Sequence, residues 1–306
     1  NKTIFYTKKD TITLRSDKVY KHEIGTNPLN DELIFEEKDD TFDVFVYKEK
    51  SKKYIVIGSS STLTNEFQIL NADTPNEKFK IFQPRVRGLE YSISHFGNDF
   101  YILTNKDKAT NFKLMKTPET ATLKNNWVDV IPHREDVLIE DTEIFKDYLV
   151  VEERSNGLTQ LRIMPWSGEG EYYLPFKSET YAAYTSTNVD FDTDILRYGY
   201  QSLGTPPSII DFNMKTKTKD VKKELEVLGG KFDKNNYEEK RIWATAQDGT
   251  KIPISIIYRK EIKLDGKNPL LQYAYGSYGN SIDATFSSTR LSLLDRGFVF
   301  AIAHIR

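Results

Sequence analysis

Residues 43–82 read DVFVYKEKSKKYIVIGSSSTLTNEFQILNADTPNEKFKIF. Four short apolar runs alternate here with polar turns, at residues 43–47, 53–58, 66–70 and 79–82. Short runs rich in β-branched and aromatic residues, bounded by Ser, Asn, Asp and Gly, are typical of β-strands joined by tight turns. The stretch therefore predicts one sheet of four consecutive strands.

The same pattern recurs along the chain at a nearly constant spacing. The second strand of each repeat begins near Ile4, Tyr54, Phe100, Leu149 and Ile195, with spacings of 50, 46, 49 and 46 residues. Four short strands in every ~40–50 residues are typical of a β-propeller blade. Such blades stack around an axis because one small sheet cannot bury both of its faces. A β-sandwich has a similar strand content and remains the alternative, but the regular period favours the propeller.

The repeats define a mainly β fold with a partial β-propeller over residues 1–223. We predict four complete blades, and the three strands before Asp39 belong to an earlier, incomplete blade. The complete blades are expected at residues 40–85, 86–135, 136–177 and 178–223. The polar segment 224–239, which contains a Gly-Gly and an Asn-Asn pair, is expected to be a linker.

Residues 240–306 follow a different order. We predict a strand at 240–246, an Asp248-Gly249 turn, strands at 251–259 and 270–275, a helix over 290–296 that Gly297 ends, and a last strand at 298–305. A hairpin, strand, helix and strand in this order are how an α/β-hydrolase domain begins. The nucleophile of such domains lies in a Gly-x-Ser-x-Gly turn, and this pattern does not occur in the 306 residues.

Composition excludes several classes of function. Lys and Arg number 43 and Asp and Glu 45, so the net charge of −2 gives no field that attracts nucleic acid or an anionic membrane. The sequence has no cysteine, which excludes disulfides and thiolate chemistry and suits the cytoplasm, the location we expect. No apolar run approaches the ~20 residues of a membrane span. His22, His95 and His133 show no metal-ligand spacing, so we expect no metal and no cofactor.

Several motifs resemble the prolyl oligopeptidase family of serine peptidases. Asn268–Leu271, followed by YAYGSYG at 273–279, resembles the family as a whole. Four further motifs resemble the oligopeptidase B branch of this family: EEKDD at 36–40, LVVEER at 149–154, LRYGY at 196–200 and RLSLLDRGFV at 290–299. The resemblance extends over the whole chain. It implies a seven-bladed propeller capping an α/β-hydrolase domain, of which this chain holds about five blades and the first part of the hydrolase.

The resemblance also implies an activity and a first site residue. The family hydrolyses short peptides, and this branch cleaves after Arg or Lys with a Ser, Asp and His triad that would lie beyond Arg306. Short peptides with basic residues are therefore the expected partners. Tyr275 matches the tyrosine that donates its hydroxyl to the oxyanion hole of the family. Such a donor must be held rigidly toward the developing negative charge. The alternative for Tyr275 is a core aromatic.

Two further residues match substrate-binding positions of the family. Tyr278 stands where an aromatic ring lines the substrate pocket, although loop packing is an alternative. Asp283 matches the first acid of an Asp-x-Asp pair that meets a basic substrate side chain, and Thr285 replaces the second acid. One carboxylate holds a guanidinium less strongly than two, which weakens the case for a preference for paired basic residues. The alternative for Asp283 is a solvated acid in a turn.

The remaining hydroxyl and imidazole candidates are not expected to form a triad. Ser277 and Ser281 neighbour glycines but lie in no nucleophile turn, and His304 precedes the position of the serine whereas the His of α/β-hydrolases comes last.

The chain opens on Asn1 and ends directly after the apolar run 297–303. We therefore expect a piece of a longer protein that is inactive by itself. The alternative function is a propeller that binds a protein partner without catalysis. A hydrolase-like start with Tyr-Gly-Ser-Tyr-Gly argues against that alternative. The sequence leaves the oligomeric state open.

Overall fold

The computed structural model describes residues 2–230 and 232–305. Within these residues the chain is mainly β, with twenty-three strands and one α-helix. It divides into two compact units, residues 1–135 and 136–306. The predicted linker at 224–239 lies inside the second unit, and the division into propeller, linker and hydrolase stays a prediction. No helix of the described residues is long and apolar enough to cross a bilayer.

The first unit contains three antiparallel sheets, each made of consecutive strands. A three-stranded sheet consists of β1 (Thr3–Lys9), β2 (Ser16–Glu23) and β3 (Glu32–Glu36). The next sheet consists of β4 (Asp43–Lys48), β5 (Tyr54–Ser60), β6 (Asn65–Asn71) and β7 (Lys80–Ile81). The third consists of β8 (Tyr91–Phe96), β9 (Asp99–Thr104), β10 (Lys113–Pro118) and β11 (Val128–Ile131).

The second unit begins with two more sheets of the same kind. One consists of β12 (Val137–Ile144), β13 (Tyr148–Ser155), β14 (Leu158–Pro165) and β15 (Tyr172–Tyr173). The other consists of β16 (Tyr181–Thr185), β17 (Ile195–Ser202), β18 (Ser208–Asn213) and β19 (Lys219–Glu224). Each of the four ranges predicted as a complete blade thus matches one four-stranded sheet, with β19 extending one residue beyond the predicted end at 223. The arrangement of these sheets around a common axis stays a prediction.

Successive sheets of one unit share a hydrophobic core. In the first unit Phe67 of β6 and Phe82 after β7 lie in one cluster with Tyr91, Phe100 and Ile102 of the following sheet. In the second unit a corresponding cluster joins the sheets β12–β15 and β16–β19, through Val150, Leu161, Ile163, Leu196 and Phe212. Small sheets that cannot bury both of their faces alone are stabilised in this way by their neighbours.

Two of the sheets each contain a contact between an aromatic ring and a glycine on the neighbouring strand. Phe45 of β4 is paired with Gly58 of β5, and Tyr184 of β16 is paired with Gly199 of β17. A Cβ atom at Gly58 would lie 2.3 Å from Cζ of Phe45, and one at Gly199 would lie 2.3 Å from Cζ of Tyr184. Each ring therefore covers the backbone of the glycine opposite it, and no larger residue fits beneath the ring.

The last sheet contains both antiparallel and parallel strands. It consists of β20 (Tyr237–Thr245), β21 (Lys251–Arg259), β22 (Leu270–Tyr273) and β23 (Val299–Ala303), in the order β20–β21–β23–β22. The strands β22 and β23 are parallel, and α1 (Ser288–Leu294) connects them. The β20–β21 hairpin and the helix agree with the predicted order. The strand predicted at 270–275 ends earlier, at Tyr273, because the chain then turns toward a 3₁₀ turn at Ser277–Gly279.

The helix α1 packs against the strands β21 and β23. Leu291 and Leu294 are buried in a cluster with Leu203, Ile257 and Phe300. Gly297 follows with φ of +85°, the left-handed conformation expected of a glycine that ends a helix. The packing therefore fixes β23, and the parallel pairing of β22 with β23 holds the carboxyl ends of the two strands side by side.

Candidate functional site

Tyr275 lies just beyond the carboxyl end of β22, next to the parallel strand β23. In open α/β sheets, ligands bind outside the carboxyl ends of the strands. Within this chain Tyr275 is 38% exposed. Among the described residues its hydroxyl has no hydrogen-bond partner. Tyr275 thus has a free phenol donor at the edge of the sheet where ligands usually bind.

Tyr278 projects into solvent from the 3₁₀ turn that follows Tyr275. Its φ of +58° is unusual for a residue with a side chain, and its ring is 89% exposed. Loop packing therefore contributes little to holding this ring. A substrate could contact it without displacing other side chains, but the role of Tyr278 in binding stays a prediction.

Asp283 is an ion-paired acid. Nη1 of Arg154 donates to Oδ1 of Asp283 at 2.6 Å, and Nη2 donates to Oδ2 at 3.4 Å. Nε of Arg154 donates to Oε1 of Glu140 at 2.6 Å. Burial lowers the pKa of Arg154, but the hydrogen bonds that it donates to Asp283 and Glu140 outweigh this effect and raise the pKa overall. Asp283 is therefore a partly exposed acid that is paired with Arg154 rather than with solvent alone, and its role in substrate binding stays a prediction.

The segment after Asp283 is held in place by buried contacts. Ala284 is buried in the cluster around α1, and the backbone N–H of Phe286 donates to Oε1 of Gln201 at 3.1 Å. Nη1 of Arg290 donates to the carbonyl of Thr285 at 2.9 Å. Burial lowers the pKa of Arg290 to about 10. The chain is therefore fixed on one side of Asp283, while Tyr278 on the other side is exposed.

Ser255 and His304 form a buried pair that the sequence did not indicate. Oγ of Ser255 lies 2.7 Å from Nε2 of His304. Burial lowers the pKa of His304, and the nearby positive charge of Arg241 lowers it further. Ser255 has no exposed surface, so its hydroxyl cannot reach a peptide bond. The pair is therefore not a nucleophile with its base.

Glu239 of β20 is the centre of a second polar cluster, which no sequence motif predicted. Its Oε1 accepts hydrogen bonds from Oγ of Ser202 at 2.7 Å and from the backbone N–H of Gly204 at 2.9 Å. Its Oε2 accepts from Oγ of Ser178 at 3.2 Å and from the hydroxyl of Thr180. One carboxylate thus ties the last sheet to the segment before β16 and to the end of β17.

The first unit contains a separate buried polar cluster around His95. Its Nδ1 lies 2.9 Å from Oγ of Ser51, and its Nε2 lies 3.1 Å from Oε2 of Glu119. The His95 backbone N–H donates to Oε2 of Glu49 at 3.1 Å. Burial raises the pKa of Glu49 to about 7, and Oε1 of this carboxyl has no partner among the described residues. The histidine is packed inside the unit, which supports the structural role inferred from the sequence.

The structure places the three predicted site residues on one stretch of chain, residues 275–283. No hydrogen bond joins Tyr275, Tyr278 and Asp283 to one another within the part of the chain that is described. The described residues also contain no group of three or more His, Cys, Asp or Glu side chains that could hold a metal ion. Arg154 and Glu140 were missed because they lie 129 and 143 positions before Asp283 in the sequence.

Comparison with protein families gives a match over most of the chain. Residues 1–225 match the family described as "Prolyl oligopeptidase, N-terminal beta-propeller domain". The match covers the five sheets β1–β19 described above.

Individual relatives match the whole chain. It is 42% identical over 306 residues to dipeptidyl aminopeptidase BI of Pseudoxanthomonas mexicana, covering 100% of this chain and 42% of that protein. It is 33% identical over 304 residues to protease 2 of Moraxella lacunata, covering 99% of this chain and 43% of that protein. The structure of oligopeptidase B from Leishmania major superposes with a TM-score of 0.90 at 34% identity, covering 100% of this chain and 44% of that chain.

The chain thus spans less than half the length of these relatives. The match to the family extends over more than two thirds of the chain, and the sequence motifs quoted above for the oligopeptidase B branch agree with the similarity to oligopeptidase B and protease 2. The chain belongs to the prolyl oligopeptidase family of peptidases, within which it is oligopeptidase B-like.

Proposed function

We propose that this chain is part of a serine oligopeptidase that cleaves short peptides after Arg or Lys. The observation that carries the proposal is the free hydroxyl of Tyr275 beyond the carboxyl end of β22, within a Tyr-Gly-Ser-Tyr-Gly motif. The similarity to oligopeptidase B and protease 2 supports it.

In the proposed reaction the serine of the whole protein attacks the peptide carbonyl, and a histidine takes the proton of its hydroxyl. The carbonyl oxygen becomes negatively charged in the tetrahedral intermediate. The Tyr275 hydroxyl donates a hydrogen bond to that oxygen, together with a backbone N–H at the serine. When the intermediate collapses, the histidine returns the proton to the leaving amine.

In the proposed protein each segment of the chain forms part of a different domain or connection. Residues 1–223 form about five of seven propeller blades, residues 224–239 a linker, and residues 240–306 the start of the α/β-hydrolase domain. The propeller admits short peptides and excludes folded proteins. The triad lies outside the 306 residues, so the chain alone is inactive. We place the whole protein in the cytoplasm, in line with the absence of cysteine.

The first test is the activity of the whole protein. Fluorogenic peptides that end in Arg, Lys or a neutral residue before the reporter group would be compared, each with a free and with a blocked amino terminus. The free form is included because the relative from P. mexicana is named a dipeptidyl aminopeptidase. We expect cleavage after Arg and Lys, and labelling by a fluorophosphonate. Absence of both would favour a propeller that binds a partner without catalysis.

The second test is Tyr275→Phe in the whole protein, which removes one hydroxyl and keeps the ring. Loss of a single oxyanion-hole donor costs roughly 10²–10³ in kcat, and a phenol that shares this task with a backbone N–H should fall near the lower end. The effect should appear in kcat more than in KM because the uncharged carbonyl accepts only a weak hydrogen bond. Tyr278→Phe is the matched control and should stay near wild type. An unchanged kcat for Tyr275→Phe would remove Tyr275 from the oxyanion hole.

A further inference from the structure

Arg154 forms ion pairs with two acidic side chains from separate segments of the chain. Glu140 lies at an irregularity in the pairing of β12 with β13, Arg154 lies near the end of β13, and Asp283 lies between the 3₁₀ turn and α1. The guanidinium donates to both oxygens of Glu140, at 2.6 and 3.3 Å, and to both oxygens of Asp283, at 2.6 and 3.4 Å. We call these three residues the Arg154 cluster.

Arg154 and Asp283 differ in their exposure to solvent. The side chain of Arg154 is 12% exposed, whereas that of Asp283 is 30% exposed. A cation from outside would therefore meet Asp283 first, with Arg154 directly behind it. Both oxygens of Asp283 already face the guanidinium, which is the geometry in which an arginine binds a carboxylate most strongly. The place of a basic substrate side chain at Asp283 is thus taken by a side chain of the protein itself.

We propose that Arg154 is a specificity-determining residue that neutralises Asp283, so that the adjoining position of the substrate accepts a neutral side chain as readily as a basic one. This inference rests on the proposed function. A second cation at Asp283 would share a carboxylate that is already bidentate and would be repelled by Arg154 a few ångströms away. The cluster carries one positive and two negative charges, so it does not reject a cation outright.

The test uses the whole peptidase and pairs of peptides that differ in charge alone. Each pair has lysine or norleucine at one of the two positions before the cleaved Arg. In the wild type the ratio of kcat/KM for lysine over norleucine should be close to one. Arg154→Met removes the charge and keeps most of the side-chain volume. This variant should raise the ratio about tenfold at the position next to Asp283, as expected for one newly unpaired carboxylate at a partly exposed site.

Matched variants separate specificity from structure. Asp283→Asn in the wild-type background should change the ratio less than about twofold, but in the Arg154→Met background it should abolish the gain. Arg154→Lys keeps the positive charge and should keep the wild-type ratio. Arg154→Met leaves two facing carboxylates and could fold poorly. The double variant Arg154→Met, Glu140→Gln removes one of these charges. Its ratio of kcat/KM for lysine over norleucine is compared with the ratio of Glu140→Gln alone.

Two results would overturn the inference. A fall in kcat/KM that is equal for lysine and norleucine peptides would show that Arg154 has a structural role alone. A wild-type preference for lysine that Asp283→Asn removes would show that Arg154 does not neutralise Asp283. Both results require an active peptidase. A protein that cleaves no arginyl peptide would overturn the proposed function and this inference together.

Discussion

The Glu239 carboxylate allows the cost of one substitution to be derived from the structure. Four donors point at its two oxygens: the hydroxyls of Ser178, Thr180 and Ser202 and the N–H of Gly204. Thr180 and Ser202 have no exposed surface, so water cannot easily replace the carboxylate. We expect Glu239→Ala to lower the free energy of unfolding by about 3–5 kcal/mol, since hydrogen bonds to charged groups contribute ~1.5–3 kcal/mol each and are not additive.

Glu239→Gln keeps the shape of the side chain and isolates the role of the charge. The amide oxygen of Gln can still accept from Ser202 and Gly204. Its NH₂ group would face Ser178 and Thr180, whose hydroxyls would then have to accept. A smaller loss of about 1–2 kcal/mol follows, because the buried hydroxyls reorient but keep a polar neighbour.

The assay is urea unfolding of the purified protein, followed by tryptophan fluorescence and circular dichroism. The matched control is Glu238→Ala, one residue earlier on the same strand, where the carboxylate contacts exposed Lys240 at 2.8 Å. Exposed pairs of this kind contribute ~0–1 kcal/mol. If Glu239→Ala and Glu238→Ala lose the same free energy, the four hydrogen bonds do not hold the last sheet against the loops, and the reasoning is refuted.

Two further predictions concern activity and pH. The purified 306-residue chain should show background hydrolysis of an arginyl chromogenic peptide because it has no Gly-x-Ser-x-Gly nucleophile turn. Serine-dependent turnover by this chain would contradict that account. Burial raises the pKa of Glu49 from 4.5 to about 7, so the folded protein binds this proton more tightly than the unfolded chain. Stability should therefore fall by up to about 3 kcal/mol between pH 4.5 and 7 relative to Glu49→Gln. The free energies of unfolding of the wild type and of Glu49→Gln would be measured by urea titration. If their difference does not change with pH, the raised pKa of Glu49 is excluded.

The strand pattern could be predicted from the sequence because it is set by local alternation of residues. The strand predicted at 251–259 is β21, Lys251–Arg259, and each four-strand repeat contains one sheet. The ends of elements were less predictable. Tyr273 ends β22 two residues early because the turn that follows begins in the glycine-containing motif itself. β7 covers only two of the four residues predicted at 79–82, and β15 is also two residues long, below the length at which apolar periodicity is visible.

The candidate site residues that the sequence proposes all lie on one short segment. Tyr275, Tyr278 and Asp283 were identified from a motif within nine residues of one another. Arg154 and Glu239 were not, because each contacts groups far away in the sequence: 129 positions separate Arg154 from Asp283, and 61 separate Glu239 from Ser178. A single charged residue on a strand gives no sign of its distant partner. Such contacts depend on how the sheets pack, which periodicity does not specify.

The aromatic–glycine contact described for β4–β5 and β16–β17 constrains how these repeats can diverge. Phe45 cannot keep its position if Gly58 gains a side chain, and Gly58 loses its cover if Phe45 becomes small. We expect either change alone to lower stability, so replacement of the pair by other residue types passes through a less stable intermediate whichever position changes first. The same dependence holds for Tyr184 and Gly199. Two repeats whose aromatic residues lie 139 positions apart thus contain the same kind of pair, an aromatic ring over a glycine, and in each repeat the two residues depend on one another.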